Sequence, residues 1–414
     1  MSDTDTDIVI VGAGAAGVAA ARRLAGAGLA AVVIEATSRV GGRGLTCDVA
    51  GMRLDLGCGW LHSADRNAWA RIAEEGRYVF DRRPPIWGAQ YRDLGFSPAD
   101  QSAARRAFAA WSSRLSEAPP ASDCAADALE PDVEWNPYLD AISGFINGAS
   151  LDRVSVADYL AYDEASTGYN WRVRSGYGGL IAASLPRPLD IRLATPVEGF
   201  ALDRRHVVAT TPLGGVRARA AILTVSTNVL AEDAIKLPPD LEPWRVAAAR
   251  LPLGRNEKLF LEIVGESPFE SETQAVGNPR DARTGAYYIR PFGWPVIECF
   301  FGDAGARIVE DGGLAAGFAH AIEQLAALFG SNVRGCLRPL AGSNWSRTTR
   351  IGGSYSHALP GHAGAREELA RPFDGRIFFA GEATSLRDFS TAHGAYDSGV
   401  RAAEEAIAAL TVRR

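Results

Sequence analysis

Three glycines near the amino terminus have the spacing that lets a backbone approach a phosphate group closely. Gly12 permits a tight turn, Gly14 lets backbone N–H groups reach a pyrophosphate, and Gly17 lets a helix pack closely on a strand. Ala15 and Ala16, between the last two glycines, are included in the predicted pyrophosphate site. The run reads Gly12-Ala13-Gly14-Ala15-Ala16-Gly17.

The segments on both sides of these glycines predict a βαβ unit. Residues 8–11 are all apolar, which is typical of a buried parallel strand, and an alanine-rich helical pattern follows to about Ala25. A second apolar strand, residues 31–34, ends at Glu35, whose carboxylate can accept hydrogen bonds from ribose hydroxyls. The unit predicts a dinucleotide site, but it does not separate FAD from NAD.

The segment that follows the second strand favours FAD. Gly42 allows close backbone approach, and Arg43 offers a fork of donors to phosphate. Ala36 and Arg39 complete the cofactor-binding residues predicted here. The segment, Glu35-Ala36-Thr37-Ser38-Arg39-Val40-Gly41-Gly42-Arg43, resembles the second FAD signature of the glutathione-reductase-like flavoproteins.

The composition narrows the class of protein. A chain of 414 residues is too long for one ordinary core, so two or three domains are expected. The net charge of −6 disfavours nucleic acid and anionic membranes as partners. The five cysteines are scattered without a C-x-x-C pair, which indicates no metal site and favours a reducing, cytoplasmic compartment. The chain shows no secretion signal and no apolar run of membrane-spanning length.

The pattern along the chain predicts an α/β protein built from interrupted segments. Residues 67–187 read as largely helical, with proline-bearing breaks. Strand patterns occur at residues 191–197, 207–211, 220–225, 258–264 and 376–380, and helical patterns at residues 314–329 and 394–410. We predict a Rossmann-like, glutathione-reductase-like FAD-binding domain with an interleaved α+β substrate domain. The predicted FAD-binding domain comprises residues 1–75, 186–245 and 340–414, and the substrate domain residues 76–185 and 246–339.

Several further segments resemble the flavin amine oxidase family, with the closest motifs in its polyamine oxidase and lysine-specific demethylase branch. The resemblance spans residues 7–410, and it is weakest in the middle, where substrates are chosen. Residues 55–62 are similar to the segment that runs beside the isoalloxazine ring. Residues 379–384 are similar to the third FAD segment, and residues 391–399 to the motif at the flavin N1–C2=O edge. The three segments are Asp55-Leu56-Gly57-Cys58-Gly59-Trp60-Leu61-His62, Phe379-Ala380-Gly381-Glu382-Ala383-Thr384 and Thr391-Ala392-His393-Gly394-Ala395-Tyr396-Asp397-Ser398-Gly399.

This resemblance extends the set of expected FAD-binding residues. Val197 matches the valine whose backbone meets adenine, and Glu382 matches the acid near the ribityl or phosphate region. His62 and His393 fall near the inferred flavin, but neither is assigned as a catalytic base. The added cofactor-binding residues are Gly57, Cys58, Gly59, Trp60, Val197, Trp345, Gly381, Glu382, Thr391 and Ala392.

Lys258 is the most informative single residue. Only Lys236 and Lys258 are lysines among 43 basic residues, so each can mark a place where arginine does not serve. In the family, a lysine in this strand holds a water against flavin N5 and assists reoxidation by O₂. The resemblance also places Trp345 near that water, Tyr355 as a wall of the aromatic cage that faces an amine nitrogen, and Thr391 where monoamine oxidases carry the second cage tyrosine.

The resemblance implies a non-metal, FAD-dependent amine oxidase acting on a small amine, as a monomer or homodimer. A hydride passes from the amine-bearing carbon to flavin N5, the imine hydrolyses to an aldehyde or ketone, and O₂ is reduced to H₂O₂. The alternatives are an L-amino-acid oxidase, which needs an arginine for the carboxylate, a desaturase, and a flavin-binding scaffold with vestigial activity. Asp163 and Glu164 could receive a second amino group, although solvated loop acids are the more common case.

The mode of flavin attachment gives the first prediction. Ser354 stands where the mitochondrial monoamine oxidases carry the cysteine that is linked to flavin. We therefore expect FAD to be held without a covalent bond. After acid precipitation the yellow absorbance should appear in the supernatant, and flavin that stays with the washed pellet would contradict this expectation.

Overall fold

The computed structural model describes residues 4–412 of the chain. Residues 1–3 and 413–414, the two ends of the predicted FAD-binding domain, lie outside the described residues. The strands are β1 (Thr4–Val11), β2 (Ala31–Ile34), β3 (Thr46–Val49), β4 (Met52–Asp55), β5 (Phe80–Asp81), β6 (Arg172–Val173), β7 (Asp190–Arg192), β8 (Gly199–Leu202), β9 (Val207–Thr211), β10 (Gly214–Leu223), β11 (Asn256–Ile263), β12 (Thr273–Val276), β13 (Ala286–Ile289), β14 (Val296–Gly302), β15 (Leu337–Gly342) and β16 (Ile377–Phe379). The helices are α1 (Ala15–Ala25), α2 (Ala68–Glu75), α3 (Pro98–Glu117), α4 (Asn136–Asn147), α5 (Val156–Ala165), α6 (Tyr177–Ala183), α7 (Thr227–Ala231), α8 (Glu242–Ala249), α9 (Asp303–Phe329), α10 (Ala365–Ala370) and α11 (Ala392–Val412).

A seven-stranded sheet forms the centre of the nucleotide-binding half. Its strands follow the order β7-β2-β1-β10-β9-β8, with β16 also paired to β10. Strand β1 pairs in parallel with β2 and with β10, and its second half, residues 8–11, is apolar and buried because helices cover both faces of the sheet there. Helices α1 and α11 pack on one face, and α7, α8 and α10 pack on the other. The predicted Rossmann-like α/β fold is confirmed.

A second sheet supplies one wall of the site. Its five strands are antiparallel and follow the order β12-β13-β14-β11-β15. One face, which includes Leu259 and Phe301, packs against helix α9 and is fully buried. Lys258 and Glu298 belong to the opposite face, because side chains alternate along a strand. That face borders a cavity.

Helices α2–α6 lie within residues 67–187, the segment predicted to be largely helical. A separate apolar cluster around Trp111, Leu115 and Trp135 holds α3, α4 and α5 together. The described helices include none that is both long enough and apolar enough to cross a membrane.

Several predicted elements have different bounds in the structure, and the strand expected at residues 220–225 spans Gly214–Leu223. The strand expected at residues 191–197 ends at Arg192, because β7 pairs with β2 over only three residues and β2 itself ends at Ile34. Val197 therefore lies in a loop. The helix expected at residues 314–329 begins at Asp303, and Gly313, with φ of 77°, interrupts it. Glycine is a poor helix former, so the sequence pattern did not predict the part of this helix that precedes Gly313.

A buried ion pair between α5 and α10 generates a stability prediction. Arg366 Nε and Nη2 lie 2.6 and 2.8 Å from the two carboxylate oxygens of Asp158, and both residues are nearly inaccessible. Asp158→Asn leaves a buried guanidinium without its anion, so we expect a loss of about 3–5 kcal/mol in the free energy of unfolding by urea. Glu368→Gln, which breaks the exposed 3.4 Å pair with Arg250, is the control and should cost below about 1 kcal/mol. Equal losses in the two variants would show that burial of the pair is unimportant.

Candidate active site

A single cavity of about 770 Å³ reaches from the seven-stranded sheet to the five-stranded sheet. It brings together nearly all of the residues predicted for the site, although they come from distant parts of the chain. Gly17 and Arg39 are the two predicted residues that do not line it. The predicted residues that line it are Gly12, Gly14, Ala15, Ala16, Glu35, Ala36, Gly42, Arg43, Gly57, Cys58, Gly59, Trp60, Val197, Lys258, Trp345, Tyr355, Gly381, Glu382, Thr391 and Ala392.

The glycine turn has no room for side chains. Gly12 has φ of 102°, and a Cβ there would lie 2.5 Å from Thr224 Oγ1. A Cβ on Gly17 would lie 1.9 Å from the Gly12 carbonyl oxygen, so Gly17 acts by close packing rather than at the cavity wall. Helix α1 begins after Gly14 without a side-chain cap, which leaves its first backbone N–H groups for a ligand.

Glu35 shapes the turn and also borders the cavity. Its Oε2 accepts a 2.7 Å hydrogen bond from the Ala13 N–H, and its Oε1 accepts bonds from the Thr37 N–H and hydroxyl at 2.8 and 2.7 Å. A carboxylate has further lone pairs for ribose hydroxyls. Arg39, another predicted cofactor-binding residue, does not line the cavity; its guanidinium donates to the Gly42 carbonyl at 2.7 Å and supports the loop, so its contact with FAD stays a prediction.

Arg43 and Glu382 form an ion pair in the wall of the cavity. Arg43 Nη1 lies 2.8 Å from Glu382 Oε1 and also donates to the Ser354 carbonyl. Burial by itself would raise the pKa of Glu382, but Arg43 and Arg366 hold that pKa below its ordinary value. Nη1 therefore donates its hydrogen bonds within the protein, and the other nitrogens of Arg43 can donate to a phosphate. The glycine turn, Glu35 and Arg43 together fit FAD.

Lys258 is buried in the cavity wall and paired with an acid. Its Nζ lies 2.9 Å from Glu298 Oε1, and a Cβ added to Gly59 would approach Nζ to 3.1 Å. Arg172 Nη2 lies 3.2 Å from the other oxygen of Glu298. Burial alone would raise the pKa of Glu298, but Lys258 and Arg172 hold it below its ordinary value. The lysine therefore lies against the segment predicted to run beside the isoalloxazine ring.

Trp345 is held at both ends. Its backbone N–H donates to Glu257 Oε1 at 2.7 Å, and its indole Nε1 donates to the Leu56 carbonyl at 3.0 Å. Glu257 in turn accepts a 2.6 Å bond from the Ser343 hydroxyl. These bonds fix the tryptophan beside the segment that contains Gly57.

Tyr355 and Thr391 line the same part of the cavity, but their hydroxyls have structural partners. The Tyr355 hydroxyl donates to the Phe145 carbonyl. Thr391 Oγ1 donates to the Asp388 carbonyl at 2.6 Å and accepts from the Gly394 N–H at 3.0 Å, which caps helix α11. Thr391 therefore sets the start of α11, and its hydroxyl proton is already donated within the protein.

The histidines and acids discussed from sequence fall in different places. His62 lines the cavity and bonds Asn170 Oδ1 at 2.8 Å, and burial lowers its pKa to about 4, so the ring is neutral. His393 bonds Asp388 and does not line the cavity. Asp163 lies in the last turn of α5 rather than in a loop, is exposed, and borders the cavity, whereas Glu164 does not.

Sequence reasoning missed most of the chamber next to Lys258. Its walls carry many aromatic side chains, together with amide groups and one buried acid. The acid had a usable signal, because Glu298 interrupts an otherwise apolar strand, where carboxylates are rare. The missed lining residues include Trp87, Tyr138, Phe145, Tyr159, Tyr162, Gln274, Tyr288, Glu298 and Phe300.

The carboxyl group that holds Trp345 gives a pH-dependent prediction. Burial raises the pKa of Glu257 from 4.5 to about 7, despite the opposing bonds from Ser343 and Trp345. The folded protein thus binds this proton more tightly than the unfolded chain does. The resulting stabilisation is complete below pH 4.5 and is lost as the pH rises through 7.

Relative to Glu257→Gln, the wild type should lose unfolding free energy between pH 5 and 8, by about 1.4 kcal/mol per unit of pKa shift. Urea denaturation at several pH values measures this difference. Glu262→Gln, on the same strand but only half-buried, is the matched control and should leave the wild-type slope intact. A pH-independent difference between wild type and Glu257→Gln would contradict the assignment.

Comparison with known proteins agrees with this geometry. The family described as flavin containing amine oxidoreductase matches residues 89–407, and the NAD(P)-binding Rossmann-like domain matches residues 10–75. Polyamine oxidase 3 of Oryza sativa subsp. japonica is 27% identical over 441 residues, covering 96% of this chain and 88% of that protein. Pseudooxynicotine dehydrogenase of Pseudomonas sp is 24% identical, covering 96% and 85%. The structure of putrescine oxidase bound to putrescine has a TM-score of 0.77 at 19% identity, covering 98% of this chain and 100% of that one, which shows a shared fold.

Proposed function

Because this chain belongs to the family of flavin-containing amine oxidoreductases, we propose that it oxidises a small amine with O₂ as the electron acceptor. Two electrons and two protons leave the C–N unit of the amine, which becomes an imine. Water hydrolyses the imine to an aldehyde or ketone and releases the nitrogen as ammonia or an amine. O₂ takes up the two electrons and two protons as H₂O₂.

The observation that carries this proposal is that one cavity joins the nucleotide cradle to the aromatic chamber. Glu35 and Arg43 line the first part, and Lys258 and Tyr355 line the second. A ligand bound by the cradle therefore extends to the chamber where an amine would lie. We propose that the FAD-binding domain and the substrate domain, with the boundaries given above, meet along this cavity.

We assign separate tasks to the residues of the chamber. Non-covalently bound FAD supplies the two-electron acceptor. The Tyr355 ring offers a π-face to the amine, and the surrounding aromatic side chains exclude water. The Lys258 ammonium, fixed by Glu298, is a donor that can hold a water molecule next to Gly59. Trp345, anchored at two points, keeps that space narrow.

The structure favours an amine without a carboxylate over an amino acid. The arginines that line the cavity within the described chain are Arg43 and Arg350. Arg43 pairs with Glu382, and Arg350 donates to the Ala234 carbonyl. Neither is a free guanidinium in the chamber beside Lys258, as binding of an amino acid carboxylate would require.

A panel of amines tests the proposal directly. The FAD-loaded protein is mixed with mono-, di- and polyamines and with L-amino acids, and peroxide is measured by a coupled peroxidase. We expect one H₂O₂ per amine oxidised. Turnover only with an artificial acceptor would indicate a dehydrogenase, and absence of turnover across the panel with both acceptors would indicate a vestigial site.

Lys258→Met gives the sharpest single-residue prediction. Methionine keeps the length and apolar packing of the side chain but removes the donor. We expect the O₂-consuming half-reaction to slow by at least about tenfold, a loss of about 1.4 kcal/mol, while FAD remains bound. Stopped-flow absorbance follows the two half-reactions separately. Lys236→Met changes the other lysine, which is exposed, and should match wild type. An O₂ reaction of Lys258→Met as fast as that of wild type would remove Lys258 from the proposal.

A further inference from the structure

The buried acid of the chamber is neutralised by two cations of the protein. Glu298 Oε1 lies 2.9 Å from Lys258 Nζ, and Oε2 lies 3.2 Å from Arg172 Nη2. We propose that Arg172 is a specificity-determining residue, which occupies Glu298 so that the chamber accepts amines with one positive charge and disfavours diamines and polyamines. This inference rests on the proposed amine oxidation and names its substrate class.

The charge balance of the three side chains supports the inference. One carboxylate faces an ammonium and a guanidinium, so these three side chains carry a net charge of +1, which the nearby carboxyl groups of Asp55 and Asp81 reduce. A second ammonium on a substrate would find both oxygens of Glu298 engaged and would lie close to the two cations that engage them. In a partly desolvated site, such repulsion is stronger than it is in water. A neutral alkyl or aryl end meets no comparable penalty.

Arg172 is held in place by more than its bond to Glu298. Its guanidinium stacks on three rings, with distances to the ring centroids of 5.1 Å for Trp60, 4.9 Å for Tyr288 and 4.5 Å for Phe292. Its side chain is almost completely buried, and its Nη1 has no hydrogen-bond partner among the described residues. The planar fork is thus fixed by packing and cannot swing away to release Glu298.

The rest of the chamber offers little to a second ammonium. Gln274 contributes a neutral amide, and most of the other lining side chains there are aromatic. Glu382 is already paired with Arg43. Within residues 4–412, Asp163 is the remaining acid in this part of the lining, but it is exposed on α5, where water and salt screen its charge.

Butylamine and putrescine test the proposal, because they share a four-carbon chain and differ by one ammonium group. The measured quantity is the ratio of kcat/KM for putrescine to kcat/KM for butylamine. We expect the wild type to favour butylamine and Arg172→Gln to raise the ratio about tenfold by freeing one oxygen of Glu298. Arg172→Lys, which keeps the charge, should stay near wild type. A wild type that prefers putrescine would overturn the inference.

The controls separate specificity from damage to the fold. Arg174→Gln removes a neighbouring exposed arginine that stacks on Phe292 and Trp294 without a bond to Glu298, and it should leave the ratio unchanged. Arg172→Gln combined with Glu298→Gln should lose the gain, whereas Glu298→Gln alone, which leaves two cations, should lower the ratio below wild type. If the ratio for Arg172→Gln equals that for Arg174→Gln, the inference is contradicted. If Arg172→Gln does not retain FAD, the ratio for Glu298→Gln tests the inference instead.

A binding measurement distinguishes failure of this inference from failure of the proposed function. tert-Butylamine and 2,5-dimethylhexane-2,5-diamine lack a hydrogen on the carbon that bears nitrogen, so neither can be oxidised at that carbon. Their dissociation constants are obtained from the change in flavin absorbance. Tighter binding of the monoamine, reversed in Arg172→Gln, supports the inference even if no amine is turned over. Equal or tighter binding of the diamine to wild type contradicts it.

Discussion

A lysine buried in a sheet needs an anion beside it, and the arrangement of the chamber follows from how this requirement is met. Strand β11 pairs with β14 so that Lys258 lies opposite Phe300 and Phe260 lies opposite Glu298. This register puts all four side chains on one face and makes Lys258 and Glu298 diagonal neighbours. A shift of β11 by one residue would turn Lys258 into the apolar layer against α9 and leave Glu298 without it, at a large cost in desolvation. The register therefore fixes the position of the ammonium.

A chain of buried polar contacts links the helical region to the nucleotide cradle. Asp158 on α5 pairs with Arg366 on α10, which donates to the Ser356 hydroxyl at 2.9 Å. That hydroxyl donates to Glu382 at 2.7 Å, and Glu382 pairs with Arg43. Because each buried charge in this series has a partner, displacement of one member leaves its neighbour unsatisfied. The cradle and the chamber are thereby held in one fixed relation.

The pairing of Glu298 with two cations distinguishes this chamber from a site that binds several ammonium groups. A carboxylate that faces the cavity could have received a substrate ammonium, but Glu298 is occupied by Lys258 and Arg172. Polyamine oxidases are among the relatives of the chain, and the fold is shared with putrescine oxidase. Recognition of the distal end of a substrate can therefore differ between members with the same fold, since it depends on a few side chains around a common frame.

The sequence by itself determined the nucleotide cradle, the α/β fold and the family resemblance. Gly12, Gly17 and Glu35 belong to one βαβ unit, so their separations along the chain are enough to predict their relative positions in the fold. Only the tertiary structure revealed the charge of the chamber. Arg172 and Glu298 come from strands in different sheets, and they meet through strand pairing and packing over long sequence separations, which no local motif encodes. The bond from Arg39 to the Gly42 carbonyl also required the structure, because an arginine next to a phosphate site has the same residue type whether it contacts the ligand, the loop or both.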